Sequence, residues 1–161
     1  PLSFLTPRFD RTVVPIFFNT LATPRPTARR CLALGNALRP ALDKWPERIA
    51  IVATGGLSHD LSTPRMGMIN EAFDHQFIEH LCSGQSAQAI EHATRQVHLA
   101  GNGAEEVRMW LMAMGMTQTL VAAGRVTHAV QGHAPFELDF YQAMHDWFTG
   151  IGLGHWALER S

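Results

Sequence analysis

The chemistry in this chain is concentrated in one loop and one helix start. The loop is Thr54-Gly-Gly-Leu-Ser-His59, directly after the apolar run at residues 48–53. A neutral imidazole such as His59 can take a proton from a bound hydroxyl near neutral pH, and Gly55 and Gly56 let backbone approach a ligand closely. Taken alone, His59 equally fits a hydrogen-bonded structural histidine. The helix start is Glu105-Glu106, ahead of the apolar Val107-Arg-Met-Trp-Leu-Met-Ala-Met114. The amino-terminal dipole and free amides there favour carboxylates, and for an isolated Glu pair helix capping is the ordinary reading.

Other constellations are weaker. Nine histidines invite a metal reading. However, His75 and His80 are five apart and His92 and His98 six apart, whereas two ligands on one helical face need a spacing of three or four. These four read as ordinary surface or boundary residues. Ser58 lacks the second glycine of a nucleophile elbow, since Asp60 stands there. Gly150-Ile-Gly-Leu-Gly154 has the wrong spacing for a dinucleotide loop and reads as strand or bend glycines. Met109, Met112, Met114 and Met116 with Trp110 read as core packing.

The elements that must position these groups follow from pattern. Residues 12–18 and 48–53 are short β-branched and apolar runs, read as buried strands. Between them Thr27 caps a helix reaching about Lys44, which Pro40 should bend or end. Strand, helix, strand in that order predicts a right-handed βαβ unit, and the fold class is α/β, with a mostly parallel or mixed central sheet flanked by helices. His59 then falls beyond the carboxyl end of a strand, where reactive loops of open α/β sheets gather. Further helices are expected at 66–82, 86–99 and 104–122. Late strands are expected at 125–130 and 150–157, joined by an irregular stretch.

Composition narrows the function. With 161 residues and 46% hydrophobic side chains, the chain fits a single domain or the carboxyl-terminal portion of one. Thirteen basic and fourteen acidic residues without a like-charge block exclude a nucleic-acid footprint or a polybasic membrane anchor. No apolar stretch approaches the roughly 20 residues of a membrane helix. Cys31 and Cys82 read as buried free thiols of a reducing cytosol, so a cytoplasmic protein is expected. The opening Pro-Leu-Ser-Phe-Leu reads as an interior start.

Taken together, Val14-Pro-Ile-Phe-Phe-Asn19, Arg29-Arg-Cys-Leu-Ala-Leu-Gly35, Ile51-Val-Ala-Thr-Gly-Gly-Leu-Ser-His59, Phe73-Asp-His-Gln-Phe77 and Ala104-Glu-Glu-Val-Arg-Met-Trp110 resemble the class III extradiol ring-cleavage dioxygenases. This is the family of the protocatechuate 4,5-dioxygenase catalytic subunit and gallate dioxygenase. The resemblance implies non-haem Fe(II), O2 and a catechol-type substrate: protocatechuate, gallate, an O-methylated gallate or a catechol with an alkyl acid side chain. It makes His59 the acid/base, with Gly55, Gly56 and Ser58 as the substrate-adjacent loop. Glu106 becomes the carboxylate iron ligand, and Glu105 is the fallback if the register differs by one. The two iron-binding histidines of the family have no counterpart here, so an amino-terminal segment or companion subunit is expected to supply them. An oligomer is also expected. Two rivals keep the fold, as a non-catalytic partner subunit or as a metal-independent binding domain. A third, a different metalloenzyme, would use His128, His133, His145 and His155.

Overall fold

In the computed structural model of the chain, residues 6–8, 10–122 and 134–156 are described, together with residue 3; the side chains of residues 118–122 are excepted. Helix α1 (Ala28–Leu42) starts where the Thr27 side chain accepts the N–H of Arg30. Pro40 lies in its last turn, and the helix ends two residues later at Leu42. Helix α2 (Glu71–Cys82) is capped by Asn70, whose side-chain oxygen accepts the N–H of Phe73. Helices α3 (Ser86–Arg95) and α4 (Val97–Ala100) are separated at Gln96. A 3-10 turn (Gly103–Glu106) leads into α5 (Val107–Ala122).

Strands β1 (Phe136–Met144) and β2 (Thr149–Trp156) form an antiparallel hairpin, with a register shift between Leu138 and Phe140. The expected late strand at 150–157 is therefore present as β2. The stretch expected to be irregular is largely β1. Its Phe136, Leu138, Phe140 alternation with Glu137 and Asp139 has the period of a strand, although of the three apolar residues only Phe136 is buried. The strand expected at 125–130 lies outside the described residues.

The central parallel sheet is not present among the described residues. Residues 12–18 and 48–53 carry no regular secondary structure and join no ladder. Their apolar side chains are exposed, 91% for Phe17, 69% for Val14 and 59% for Val52. β-branched composition marks a segment that fits a pleated, half-buried surface, but a strand forms only where another strand takes up its N–H and C=O groups. The described residues provide no such partner to either run. The architecture shown is mixed α and β: helices plus one two-stranded sheet.

The core lies where α2, α3, α5 and the hairpin meet. Leu57, Phe77, Leu81, Val107, Leu111 and Met114 are fully buried there. Each large side chain so buried contributes about 1.5–3 kcal/mol relative to an exposed one. Helices α1 and α5 cross closely because Gly35 faces the backbone of Met112 and Gly115 faces that of Leu32. A Cβ on either glycine would stand 2.0 Å or 2.1 Å from a carbonyl oxygen. Met112, Met114 and Met116 are buried, as core packing requires. Cys31 is a buried free thiol, raised above its ordinary pKa by burial, whereas Cys82 is exposed, contrary to expectation. Cys82 is the last residue of α2 and lies on its outward side.

Candidate active site

The 54–59 loop is held by three neighbours. Gly55 sits at a φ of 149°, a backbone state favouring glycine, and a Cβ there would meet Glu106 backbone at 2.9 Å. Its carbonyl accepts the Trp110 indole N–H at 3.3 Å. Residues 57–59 then run beside β2: the Leu57 N–H bonds the Gly150 carbonyl, the Gly150 N–H bonds the Ser58 carbonyl, and His59 bridges Thr149. The third hold is the turn before α5, where the Gly103 N–H donates to the His59 carbonyl at 3.1 Å.

These contacts fix the His59 ring. Its Nδ1 lies 2.8 Å from the Leu57 carbonyl, which can only accept, so Nδ1 carries a proton, and of the two neutral tautomers this contact selects the one with the lone pair on Nε2. The ring lies between two glycines. A Cβ on Gly56 would come 2.6 Å from Cε1, and one on Gly103 would come 2.0 Å from Nε2. Two bare α-carbons therefore form the walls of the imidazole slot.

The two glutamates diverge. Glu106 turns toward the loop, where its Oε2 accepts the Gly56 N–H at 2.6 Å. Its Oε1 has no hydrogen bond to protein among the described residues. Glu105 turns away and is buried, with Oε1 2.6 Å from the Arg25 guanidinium and Oε2 against Arg108. Burial, with Arg25 nearby, holds the Arg108 guanidinium below its ordinary pKa. Both Glu105 oxygens thus face cations, whereas the Glu106 carboxylate faces the loop.

Ser58 is fully buried and faces the core. Its N–H and its hydroxyl donate to the two oxygens of buried Asp74, at 2.7 Å and 2.8 Å. Tyr141 on β1 donates to the same carboxylate at 2.9 Å. Burial raises the Asp74 pKa against the opposing pull of these donors; it also raises that of Tyr141, with the Asp74 charge adding to the effect. Asp74, Gly103 and the Arg25–Glu105–Arg108 cluster were missed by sequence reasoning. A helical Asp three residues before Phe77 carries no pattern marking it as buried.

Among the remaining histidines, His75 is exposed and His80 partly so, as expected. His92 is buried instead, stacked on Phe73 and bonded through Nε2 to the Phe73 carbonyl. Burial pushes it below the ordinary imidazole range. Among the described residues no group of three or more His, Cys, Asp or Glu could hold a metal ion. His128 and His133 lie outside the described residues. No described helix is long and apolar enough to cross a membrane.

Comparison with known proteins supplies the class that this scaffold and loop belong to. The chain is a member of the aromatic ring-opening dioxygenases, matching over residues 1–138 the family described as the catalytic LigB subunit of aromatic ring-opening dioxygenase. Its relatives include a gallate dioxygenase of Pseudomonas putida, 38% identical over 71% of this chain and 35% of that protein. A 2,3-dihydroxyphenylpropionate/2,3-dihydroxicinnamic acid 1,2-dioxygenase of Burkholderia vietnamiensis is 27% identical over 99% of this chain and 61% of its own length. The chain therefore spans about one third to three fifths of the length of these relatives.

Proposed function

We propose that this chain carries the proton-transfer half of an extradiol dioxygenase site that opens a catechol-type ring, of the protocatechuate or gallate kind, with non-haem Fe(II) and O2. The observation that carries the proposal is the convergence on Gly56: its N–H holds Glu106, and its α-carbon walls the His59 ring.

Glu106 suits an iron ligand because one oxygen is oriented by a backbone donor and the other is open for a metal. Glu105 does not, since ligation would strip two guanidinium partners from a buried carboxylate. One carboxylate is not a site, so two histidines must come from a preceding segment or companion subunit. The exposed apolar runs 12–18 and 48–53 support such a completion. They have the composition of central parallel strands and expose the backbone groups that a neighbouring strand would pair. On this reading the chain is the carboxyl-terminal portion of one larger α/β domain.

Fe(II), when bound, would bring catecholic substrate and dioxygen together and allow the ring to open beside one hydroxyl. The protein's part is to place and move protons. His59 presents the Nε2 lone pair to the substrate hydroxyl, while Leu57 fixes the tautomer that keeps it available. Gly55 and Gly56 let the ring plane approach the backbone. The free thiols of Cys31 and Cys82 support a cytoplasmic setting.

The test is oxygen uptake on anaerobically Fe(II)-loaded protein with a small catechol panel. This chain would be assayed alone and then joined to the segment or companion that restores the two histidines. Activity only in the completed form supports the proposal; no activity in either refutes it, and activity of the chain alone would reveal a different ligand set.

A further inference from the structure

Asp74 is fully buried on α2. Its oxygens accept three hydrogen bonds, from the Ser58 N–H, the Ser58 hydroxyl and the Tyr141 hydroxyl. The Ser58 hydroxyl oxygen meanwhile accepts the N–H of Asn70, the residue that caps α2. That acceptance turns the hydroxyl proton toward Asp74, so the direction of every bond in the cluster is set. Gly150 on β2 also abuts the cluster, since a Cβ there would stand 2.1 Å from Asp74 Oδ2. One carboxylate thus ties together the helix, the hairpin and the residue immediately before His59.

Asp74 does not touch the imidazole, so no Asp–His dyad exists here. Its hold is on the peptide unit between Leu57 and Ser58, and that unit contains the carbonyl bonded to His59 Nδ1. The Ser58 N–H and the Leu57 C=O are opposite sides of one planar amide. Anchoring the N–H on Asp74 therefore aims the C=O at the ring.

We propose that Asp74 is the positioning residue of the site: by gripping the Leu57–Ser58 amide it orients the carbonyl that fixes the His59 tautomer, leaving Nε2 free for the substrate. The Ser58 N–H can only donate and so requires an acceptor; the two hydroxyls at the other oxygen donate here, and an Asn amide facing them would make both turn from donating to accepting. In Asp74→Asn the amide group confronts either the Ser58 N–H or two hydroxyls.

This inference rests on the proposed role of His59, and its test is built so that the two can fail separately. The ring tautomer of His59 is read by long-range proton–nitrogen NMR on the full 161-residue chain, with no substrate or iron. The wild-type chain is expected to show the Nδ1-protonated ring, and Asp74→Asn a mixture of both tautomers. In the completed, iron-loaded enzyme the same variant should lose about tenfold or more in kcat, with iron content and KM little changed. A folded Asp74→Asn chain with an unaltered His59 pattern and unaltered kcat would overturn the proposal, because a merely structural carboxylate moves stability alone. If Asp74→Asn does not fold, Ser58→Ala and Asp74→Ser decide the matter. Because Ser58→Ala keeps the residue 58 N–H bonded to Asp74, it should leave the ring unchanged, whereas Asp74→Ser, one atom too short to reach that N–H, should mix the tautomers; an unchanged ring in Asp74→Ser would again overturn the role. Should the wild-type completed enzyme fail to open any catechol, the proposed function falls, and the tautomer comparison still judges Asp74.

Discussion

Gly103→Ala is the sharpest single perturbation of the His59 slot. Gly103 stands in a 3-10 turn leading into a helix, and a Cβ there would lie 2.0 Å from His59 Nε2, 2.2 Å from Cδ2 and 2.5 Å from Cε1. Ordinary contact between such atoms is about 3.5 Å, so the ring must retreat by roughly 1.5 Å. It has nowhere to go without cost. The Gly56 α-carbon stands against the Cε1–Nδ1 edge of the ring, and a shift of that size breaks the 2.8 Å bond to the Leu57 carbonyl. Misplacing a catalytic group by about 1 Å can cost on the order of 100-fold in rate, so kcat for ring opening should fall by about that factor. The backbone works the other way, because Ala is favoured over Gly in a helical turn by about 1 kcal/mol. Thermal unfolding should therefore change little while turnover collapses. The assay is oxygen uptake by the completed iron-loaded enzyme, with metal content measured on the same sample. A Gly103→Ala enzyme within twofold of wild-type kcat would refute the claim that the slot geometry serves His59.

Further expectations follow from the same geometry. Glu106→Gln should lower iron occupancy at nearly unchanged stability, whereas Glu105→Gln should retain iron and lose about 3–5 kcal/mol in urea unfolding, because buried Arg108 loses its partner; the opposite pattern would reverse the assignment. His92 is held below its ordinary value of 6.5 by burial, so the unfolded chain takes up a proton in that window before the folded one does. Stability should therefore be lost as pH falls through and below 6.5, and urea midpoints of His92→Gln should lack that slope. Gly35→Ala should destabilise by about 1–3 kcal/mol through overpacking against the Met112 backbone, read from the midpoint of thermal unfolding.

The sequence singled out two segments, the 54–59 loop and the Glu105–Glu106 helix start, and the structure brings them together at the Gly56–Glu106 hydrogen bond. The helices were legible as well: α1 spans 28–42 against an expected 27–44, and α3 with α4 covers nearly the expected 86–99. The expected start at residue 66 was early, because Asn70 caps α2 and the preceding residues form turns. Strand pairing was not legible. A β-branched run states a preference, while a ladder depends on which other segment arrives, and at 12–18 and 48–53 none does among the described residues. Asp74 was hidden for a related reason: a buried carboxylate is explained by its donors, and Ser58 and Tyr141 lie 16 and 67 positions away in the chain.

The position of Gly56 also bears on how such a site can change over time. One peptide unit serves the carboxylate on one side and the imidazole on the other, so a substitution that re-aims Glu106 also moves the wall of the His59 slot. Groups sharing a neighbour in this way show interaction energies of about 0.5–3 kcal/mol rather than independent effects. On the roles proposed for Glu106 and His59, metal affinity and proton transfer would thereby be tied into one heritable unit. Variants that adjust one while sparing the other must come from residues that do not bear on Gly56.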